Sequence, residues 1–207
     1  MADWDEDSAQ LRSNLTQVLR DVRDSAVGRD LPTLEAARKW QASTMAGLEV
    51  PDAKYVGHFR GEPGLENISV GIGAKDGVAP ARVATELAAF EQRLQRVVAV
   101  LDERYAAWND LDADGLAAVI DLGAWAHAEW VRIHPFSNGT GRTARIWANF
   151  IFMRYGLPPV VRLRPRPDGG YGSAGAEAMD GSWQPTAVVF RRLLFDALAE
   201  GSEPAPP

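Results

Sequence analysis

The feature that most constrains this sequence is an unbroken apolar stripe at helical spacing. Val83, Leu87, Phe90, Leu94, Val97, Leu101 and Tyr105 step by three or four behind Pro80. Such a stripe covers one face of a helix and must be buried against other elements. Pro80 suits the first helical position, where its missing N–H would have no partner anyway. The same spacing recurs along the chain. Leu11, Leu15, Val18, Leu19 and Val22 predict a helix over Ser8 to Val27, stopped by Gly28. Pro32 and Thr33 open a second helix through Trp40 to about Ala46. Asp114 is expected to cap a helix carrying Leu116, Val119, Ile120, Gly123, Ala124, His127 and Trp130. Thr140 to Tyr155 reads as a buried helix ended by Gly156, and shorter ones are expected over Tyr171–Met179 and Pro185–Glu200.

One segment breaks the helical pattern. Val56-Gly-His-Phe-Arg and Glu66-Asn-Ile-Ser-Val-Gly-Ile-Gly flank Gly61-Glu-Pro-Gly, and Ile68, Val70 and Ile72 alternate with small residues. This predicts a short β-hairpin turning at residues 61–64. A lone hairpin is marginal in water, so it must lean on the helices. Its edge is either plain surface or a site where an extended peptide adds a strand.

Charge narrows the function. The net charge is −6, which disfavours general nucleic-acid binding. Between Arg132 and Arg166 there are seven Arg (132, 142, 145, 154, 162, 164 and 166) and no Lys, Asp or Glu, leaving −13 for the remainder. That segment is suited to hold an anion, although Arg154, Arg162, Arg164 and Arg166 also suit solvated surface. The chain has no Cys, no stretch long and apolar enough for a membrane span, and an acidic start unlike a signal peptide. A cytoplasmic location is the expectation. Residues 1 to 7 read as a frayed acidic tail, and residues 202–207 as disordered.

The arginine-rich segment opens with Arg132-Ile-His-Pro-Phe-Ser-Asn-Gly-Thr-Gly-Arg-Thr-Ala-Arg145. A Gly-rich turn entering a helix presents unpaired N–H groups at the positive end of the helix dipole, which is an anion site. Gly139 and Gly141 let the backbone approach an anion closely. Arg142 and Arg145, three apart, share a helix face, and Thr140 offers a hydroxyl donor. Ser137 and Asn138 offer oxygens to a cation. His134 is the one group in the loop that titrates near neutrality. One base, one anion cradle and two Arg are sufficient for phosphoryl or nucleotidyl transfer. A Gly-Lys-Ser/Thr phosphate loop is absent, and a dinucleotide fold needs a strand where this chain has a helix. A metal site from His127, Glu129 and His134 lacks a recognised spacing. His127 suits the core, and His58 receives no role.

The run His134-Pro-Phe-x-x-Gly139-x-Gly141-Arg142-x-x-Arg145 resembles the signature of Fic-domain proteins, HxFx(D/E)GNGRxxR. The flanking order is similar too: a Gly57-His-Phe-Arg60 segment and hairpin, a long helix, then the loop between two helices. The resemblance implies an all-α fold with a β-hairpin flap: residues 1–29 as a helical extension, 30–201 as the Fic domain and 202–207 as a tail. It implies transfer of AMP from ATP to a Ser, Thr or Tyr hydroxyl of a target protein. His134 would act as base, and the Gly139-Thr140-Gly141 amides with Arg142 would hold the phosphates, supported by Arg145. Asn138 would stand at the Mg²⁺ (or Mn²⁺) position, and Ile68 and Val70 in the flap would align the target. Tyr171 and Trp183 are candidate walls for the nucleotide base, with core packing as their other reading. Two positions depart from the signature. Asn138 replaces a carboxylate, as in Doc-type proteins that resemble phosphate-transferring kinases. Thr140 replaces Asn. These departures leave two other readings open, namely phosphate transfer (or a small-molecule acceptor) and a weakly catalytic nucleotide- or partner-binding module. No full Ser/Thr-xxx-Glu-Gly/Asn inhibitory motif is present. Asp196 to Gly201 and Ser173 to Glu177 are partial matches, and a separate antitoxin chain is a candidate inhibitor.

Overall fold

The computed structural model describes residues 3–105 and 110–200, without the side chain of Glu200. The expected tail at 202–207, the last residue of the expected Fic span and Gly201 of the partial inhibitory motif lie outside the described residues. Those residues form seven α-helices and one small sheet: α1 (Ala9–Val27), α2 (Leu34–Met45), β1 (Gly71–Ile72), β2 (Lys75–Asp76), α3 (Pro80–Arg104), α4 (Ala113–Ile133), α5 (Thr140–Arg154), α6 (Tyr171–Ala178) and α7 (Gln184–Glu200). The all-α expectation with a hairpin holds.

The central pair is α4 and α5. Against α4 pack α3, α6 and α7, and against α5 pack α1 and α2. The pair is apolar around most of its circumference because it is covered on both sides. Trp130, Trp147, Phe90, Trp40 and Phe150 form a chain of ring contacts with centroids 4.7–6.0 Å apart. Helix α1 is part of this core, with Leu11 and Val22 fully buried. Asn14 fastens it to α2 by donating to the carbonyls of Thr44 (3.0 Å) and Ala46 (2.7 Å).

Three local expectations differ from the structure. The cap of α4 is Asp112, whose side chain accepts from the Gly115 amide at 2.7 Å, while Asp114 lies within the first turn. Asp112 has the extended backbone that an N-cap requires. Next, the hairpin sits later than the alternation suggested. Its strands pair Gly71 with Asp76 and Ile72 with Lys75 around Gly73, at φ +60°. Residues 56–66 instead form irregular turns, with Gly61 N–H on Leu65 O (3.0 Å) and Leu65 N–H on Glu62 O (2.8 Å), so the Gly61-Glu-Pro-Gly run is a loop turn and not the hairpin turn. Finally, Arg154 is structural and not solvated. It is 5% exposed and binds Asp102 (2.6 Å) and the carbonyls of Asp30 and Arg29. Among the described residues no helix is long and apolar enough to cross a membrane.

Candidate active site

The loop between α4 and α5 is held from both ends. His134 ends α4 in the left-handed region, at φ 54°, with its N–H on the Trp130 carbonyl. That conformation costs a side-chain-bearing residue about 1–2 kcal/mol, so the surroundings must enforce it. Pro135 prevents the helix from continuing. Phe136 is fully buried against Phe59 (4.9 Å) and Trp130 (6.0 Å), and anchors the turn. Gly139, at φ 90°, starts α5 with no side-chain cap, so the first amides of α5 stay open. Trp130 Nε1 donates to the Thr143 hydroxyl at 2.8 Å and locks the two helices where the loop leaves them.

His134 presents one ring nitrogen free of hydrogen bonds among the described residues. Its Nδ1 lies 3.2 Å from the Val131 carbonyl, which only accepts, so Nδ1 carries the proton. Nε2 makes no hydrogen bond among the described residues and is left as the basic nitrogen. Burial, with the nearby Arg60 charge, pushes the imidazole down to about 4, opposed by the Val131 hydrogen bond. The ring is therefore neutral at physiological pH.

The two loop arginines do different jobs. Arg142 is 5% exposed, and its Nη2 donates to Asn138 Oδ1 at 2.7 Å. Its Nη1 lies 3.5 Å from Asp5, and its Nε is buried without a partner among the described residues. Burial lowers it to about 10, against the pull of Asp5, so it stays charged at neutral pH. Arg145 is turned inward, donating to the Tyr171 hydroxyl (3.2 Å) and the Leu163 carbonyl (2.8 Å). Tyr171 is buried and also meets His127 Nε2 at 2.6 Å. Burial, helped by the Arg145 charge, pushes His127 down to about 3, so it is a neutral core histidine. Trp183 lies elsewhere, by Trp125, Arg93 and Ala178. The structure does not bring Tyr171 and Trp183 together as one aromatic pocket.

Thr140 also differs from its expected use. Its hydroxyl is 3.2 Å from both the N–H and the C=O of Phe136, inside the loop. Only its backbone amide is left for an anion. The donor set for a divalent cation is poor as well. Asn138 Oδ1 already accepts from a guanidinium, and no group of three or more His, Cys, Asp or Glu is arranged for a metal among the described residues. Ser137 Oγ is buried without a hydrogen-bond partner among the described residues, whereas Asn138 Oδ1 is spent on Arg142.

The two glycines are separable by experiment. At Gly139 a Cβ would meet Met45 Cε at 3.1 Å on a positive-φ backbone, whereas at Gly141 the nearest atom is Arg145 Nη1 at 3.6 Å. Gly139→Ala is expected to lose about 1–2 kcal/mol of stability. Gly141→Ala is expected to melt at or above the wild-type temperature, yet to weaken tripolyphosphate binding at least tenfold by calorimetry, because its methyl would enter the space over the open amides.

Three contributors had no role in the sequence reading. Gln41, fully buried on α2, accepts from the Gly57 amide (2.6 Å) and donates to the carbonyls of Tyr55 and Asn138. A polar residue within the α2 apolar face was its only signal. Arg60 donates to the His134 carbonyl at 2.6 Å. The third is the acidic start, which is docked and not frayed over residues 3–7. Asp3 bridges Glu49, Trp4 stacks on Tyr55 at 5.7 Å, Asp5 faces Arg142, and Asp7 faces Arg164 at 3.4 Å. Asp5 is 70% exposed, so its hold is weak. Asp5→Asn is expected to tighten tripolyphosphate binding about two- to fivefold at low salt, with the gain fading as salt screens it.

Known proteins resemble this chain in sequence and in fold. Residues 32–152, more than half of the chain, match the model of the Fic/DOC family. A protein adenylyltransferase Fic of Culex quinquefasciatus is 39% identical over 64 residues, and that of Drosophila persimilis 38%. Those stretches cover 31% of this chain and only 13% of each relative. Three solved structures share the fold at low identity. A Fic-domain signalling protein of Bacteroides thetaiotaomicron aligns with TM-score 0.64 and 17% identity over 92% of this chain and 69% of its own. Fic-1 of C. elegans gives 0.59 and 22%, over 91% of this chain and 51% of its own. BepC of Bartonella tribocorum, solved with AMPPNP bound, gives 0.53 and 18%, over 88% and 86%. With its HPFSNGTGRTAR loop joining α4 to α5, this chain belongs to the Fic/DOC family.

Proposed function

We propose that this protein transfers AMP from ATP to a hydroxyl group of a target protein. One observation carries the reading: a neutral histidine with a free Nε2 stands at one end of the same short loop whose other end is an open helix N-terminus backed by Arg142. Base and anion cradle are thereby fixed to one rigid turn. The open amides from Thr140 onward and the Arg142 guanidinium take the phosphate oxygens, and Arg145 adds its charge from behind while held by Tyr171 and Leu163. Nε2 of His134 removes the proton of the acceptor hydroxyl. The oxygen attacks the α-phosphorus, a new P–O bond forms, the α–β bridge breaks, and pyrophosphate leaves. Preorganised positive charge and positioning carry most of the acceleration in such transfers. The hairpin at Gly71–Asp76, with Ile68 and Val70 leading into it, is the edge along which the target segment lies. The adenylyltransferase names of the relatives and the AMPPNP held by BepC support the nucleotide assignment.

Asn138 favours a second reading, a nucleotide-binding module with slow transfer, because its amide oxygen is already given to Arg142. Mass spectrometry of lysate proteins treated with the enzyme and ATP decides between them. AMP adducts on Ser, Thr or Tyr are the expected result. Phosphate adducts would assign the Doc-type reaction, and ATP binding without adducts would assign the module.

A further inference from the structure

Arg60 is 1% exposed and has no carboxylate partner among the ion pairs of the described residues. Its guanidinium serves carbonyls only. Nε donates to His134 O (2.6 Å), Nη1 to Ile68 O (2.9 Å), and Nη2 to Val78 O (2.8 Å) and Ile133 O (3.0 Å). Its own amide donates to Pro135 O at 2.8 Å. These acceptors belong to three places: the end of α4 at the catalytic turn, the strand lead-in before the hairpin, and the return after it. A buried cation without a counter-ion is costly, so what it joins is informative. A planar fork reaches both arms of the hairpin and the catalytic turn at once, which a single ammonium does not.

The hairpin side shows the same coupling. Gly77 closes the hairpin by donating to Val70 O at 2.8 Å. A Cβ at Gly77 would come within 2.6 Å of His134 Cβ and 3.1 Å of Arg60 Nη2. The returning arm therefore runs directly against the histidine. Beyond this base the hairpin is exposed and is held by Lys75, which reaches Ala176 O (3.0 Å) and Asp180 (2.6 Å) on the far side.

We propose that Arg60 is a positioning residue that sets the register between the hairpin edge and His134, and so places an acceptor hydroxyl on the hairpin within reach of Nε2. The inference rests on the AMP-transfer reading above. Its physical basis is the small tolerance of proton abstraction. A base needs its proton donor within about 2.6–3.2 Å, while one strand residue advances about 3.3 Å. A hairpin free to slide or tilt by even about 1 Å would lose of order 10²-fold in rate. Water, a small acceptor, needs no such alignment. The role is thus visible as a split between two acceptors of the same nucleotide.

The test uses Arg60→Lys, which keeps a charge and loses the fork, and Gly71→Ala, whose methyl would come within 2.3 Å of the Lys75 carbonyl and so moves the hairpin without touching Arg60 or His134. Two measurements are made. Hydrogen exchange on the protein alone is expected to quicken at least tenfold at amides 69–77 in both variants, with α4 and α5 core amides unchanged. With ATP labelled at the α-phosphorus and lysate protein as acceptor, label on protein is expected to fall at least tenfold relative to free AMP released by hydrolysis. Equal losses of both products, or unchanged exchange at 69–77, would overturn the proposal. If Arg60→Lys does not fold, Gly71→Ala carries both arms. If the wild type yields neither labelled protein nor AMP, the AMP-transfer reading fails, and the exchange result alone decides whether Arg60 couples the hairpin to the histidine.

Discussion

Replacing His134 with Asn is expected to lower AMP transfer by about 10²–10⁴-fold while the protein stays folded. Asn is chosen because residue 134 has φ 54°, a conformation that Asn tolerates and Ala does not. An Ala variant would mix backbone strain with the loss of the base. Asn retains a short polar side chain near the Val131 carbonyl but has no nitrogen that takes up a proton. ATP binding, read by calorimetry, should stay within about twofold, because the open amides of α5 and Arg142 are untouched. The pH profile gives a second readout. His134 is held below its usual value of 6.5, at about 4, mainly by burial. The base form is therefore fully present at neutral pH and persists as the solution is acidified. Transfer in the wild type should be flat from neutrality down through pH 6 and should fall only as pH drops through about 4. A fall centred near 6.5 would place the imidazole in water and contradict the buried, donor-locked ring.

Arg142→Gln should separate binding from stability. Gln keeps an amide donor that can serve Asn138 but removes the cation from the cradle. A hydrogen bond to a charged group is worth about 1.5–3 kcal/mol, so ATP affinity should fall about 10- to 10²-fold. The remaining affinity should also depend less on salt, since one positive charge facing the phosphates is gone. Stability is expected to hold or rise. Arg142 is buried, and among the described residues its Nε has no partner and its only carboxylate, Asp5, is largely exposed and 3.5 Å away. Removing a poorly paired buried cation relieves its desolvation cost. A variant that melts higher and binds ATP worse marks a site kept for function. If ATP affinity were unchanged, the phosphates would lie elsewhere.

The helices of this molecule were legible because each buries a stripe whose period is a local property of the sequence. The stop at Gly28, the cap at Thr33 and Pro80 at the start of α3 are local signals too, and they hold in the structure. The loop between α4 and α5 was legible for a related reason. Its residue types are rare together, and each needs its neighbours at fixed spacing. What sequence reading missed depends on tertiary contacts. The hairpin turn was placed at 61–64 because Gly and Pro cluster there, yet that run closes on itself through Gly61 N–H to Leu65 O and Leu65 N–H to Glu62 O, and the strands form ten residues later around Gly73. Thr140 is polar in any sequence reading, and only the fold shows that its hydroxyl is spent on Phe136. Arg154 carries the same charge as Arg142 but meets Asp102, which lies 52 positions earlier on α3. The acidic start read as loose chain because its partners, Glu49, Tyr55, Arg142 and Arg164, are all distant in sequence.

The most direct test of the central claim follows one atom. The protein is incubated with lysate protein and ATP labelled at either the α- or the γ-phosphorus, with His134→Asn in parallel. The account predicts label on protein from the α-position only, stable to protein denaturation, and reduced by about 10²-fold or more in the variant. Label arriving from the γ-position, or equal α-label from wild type and variant, would contradict it.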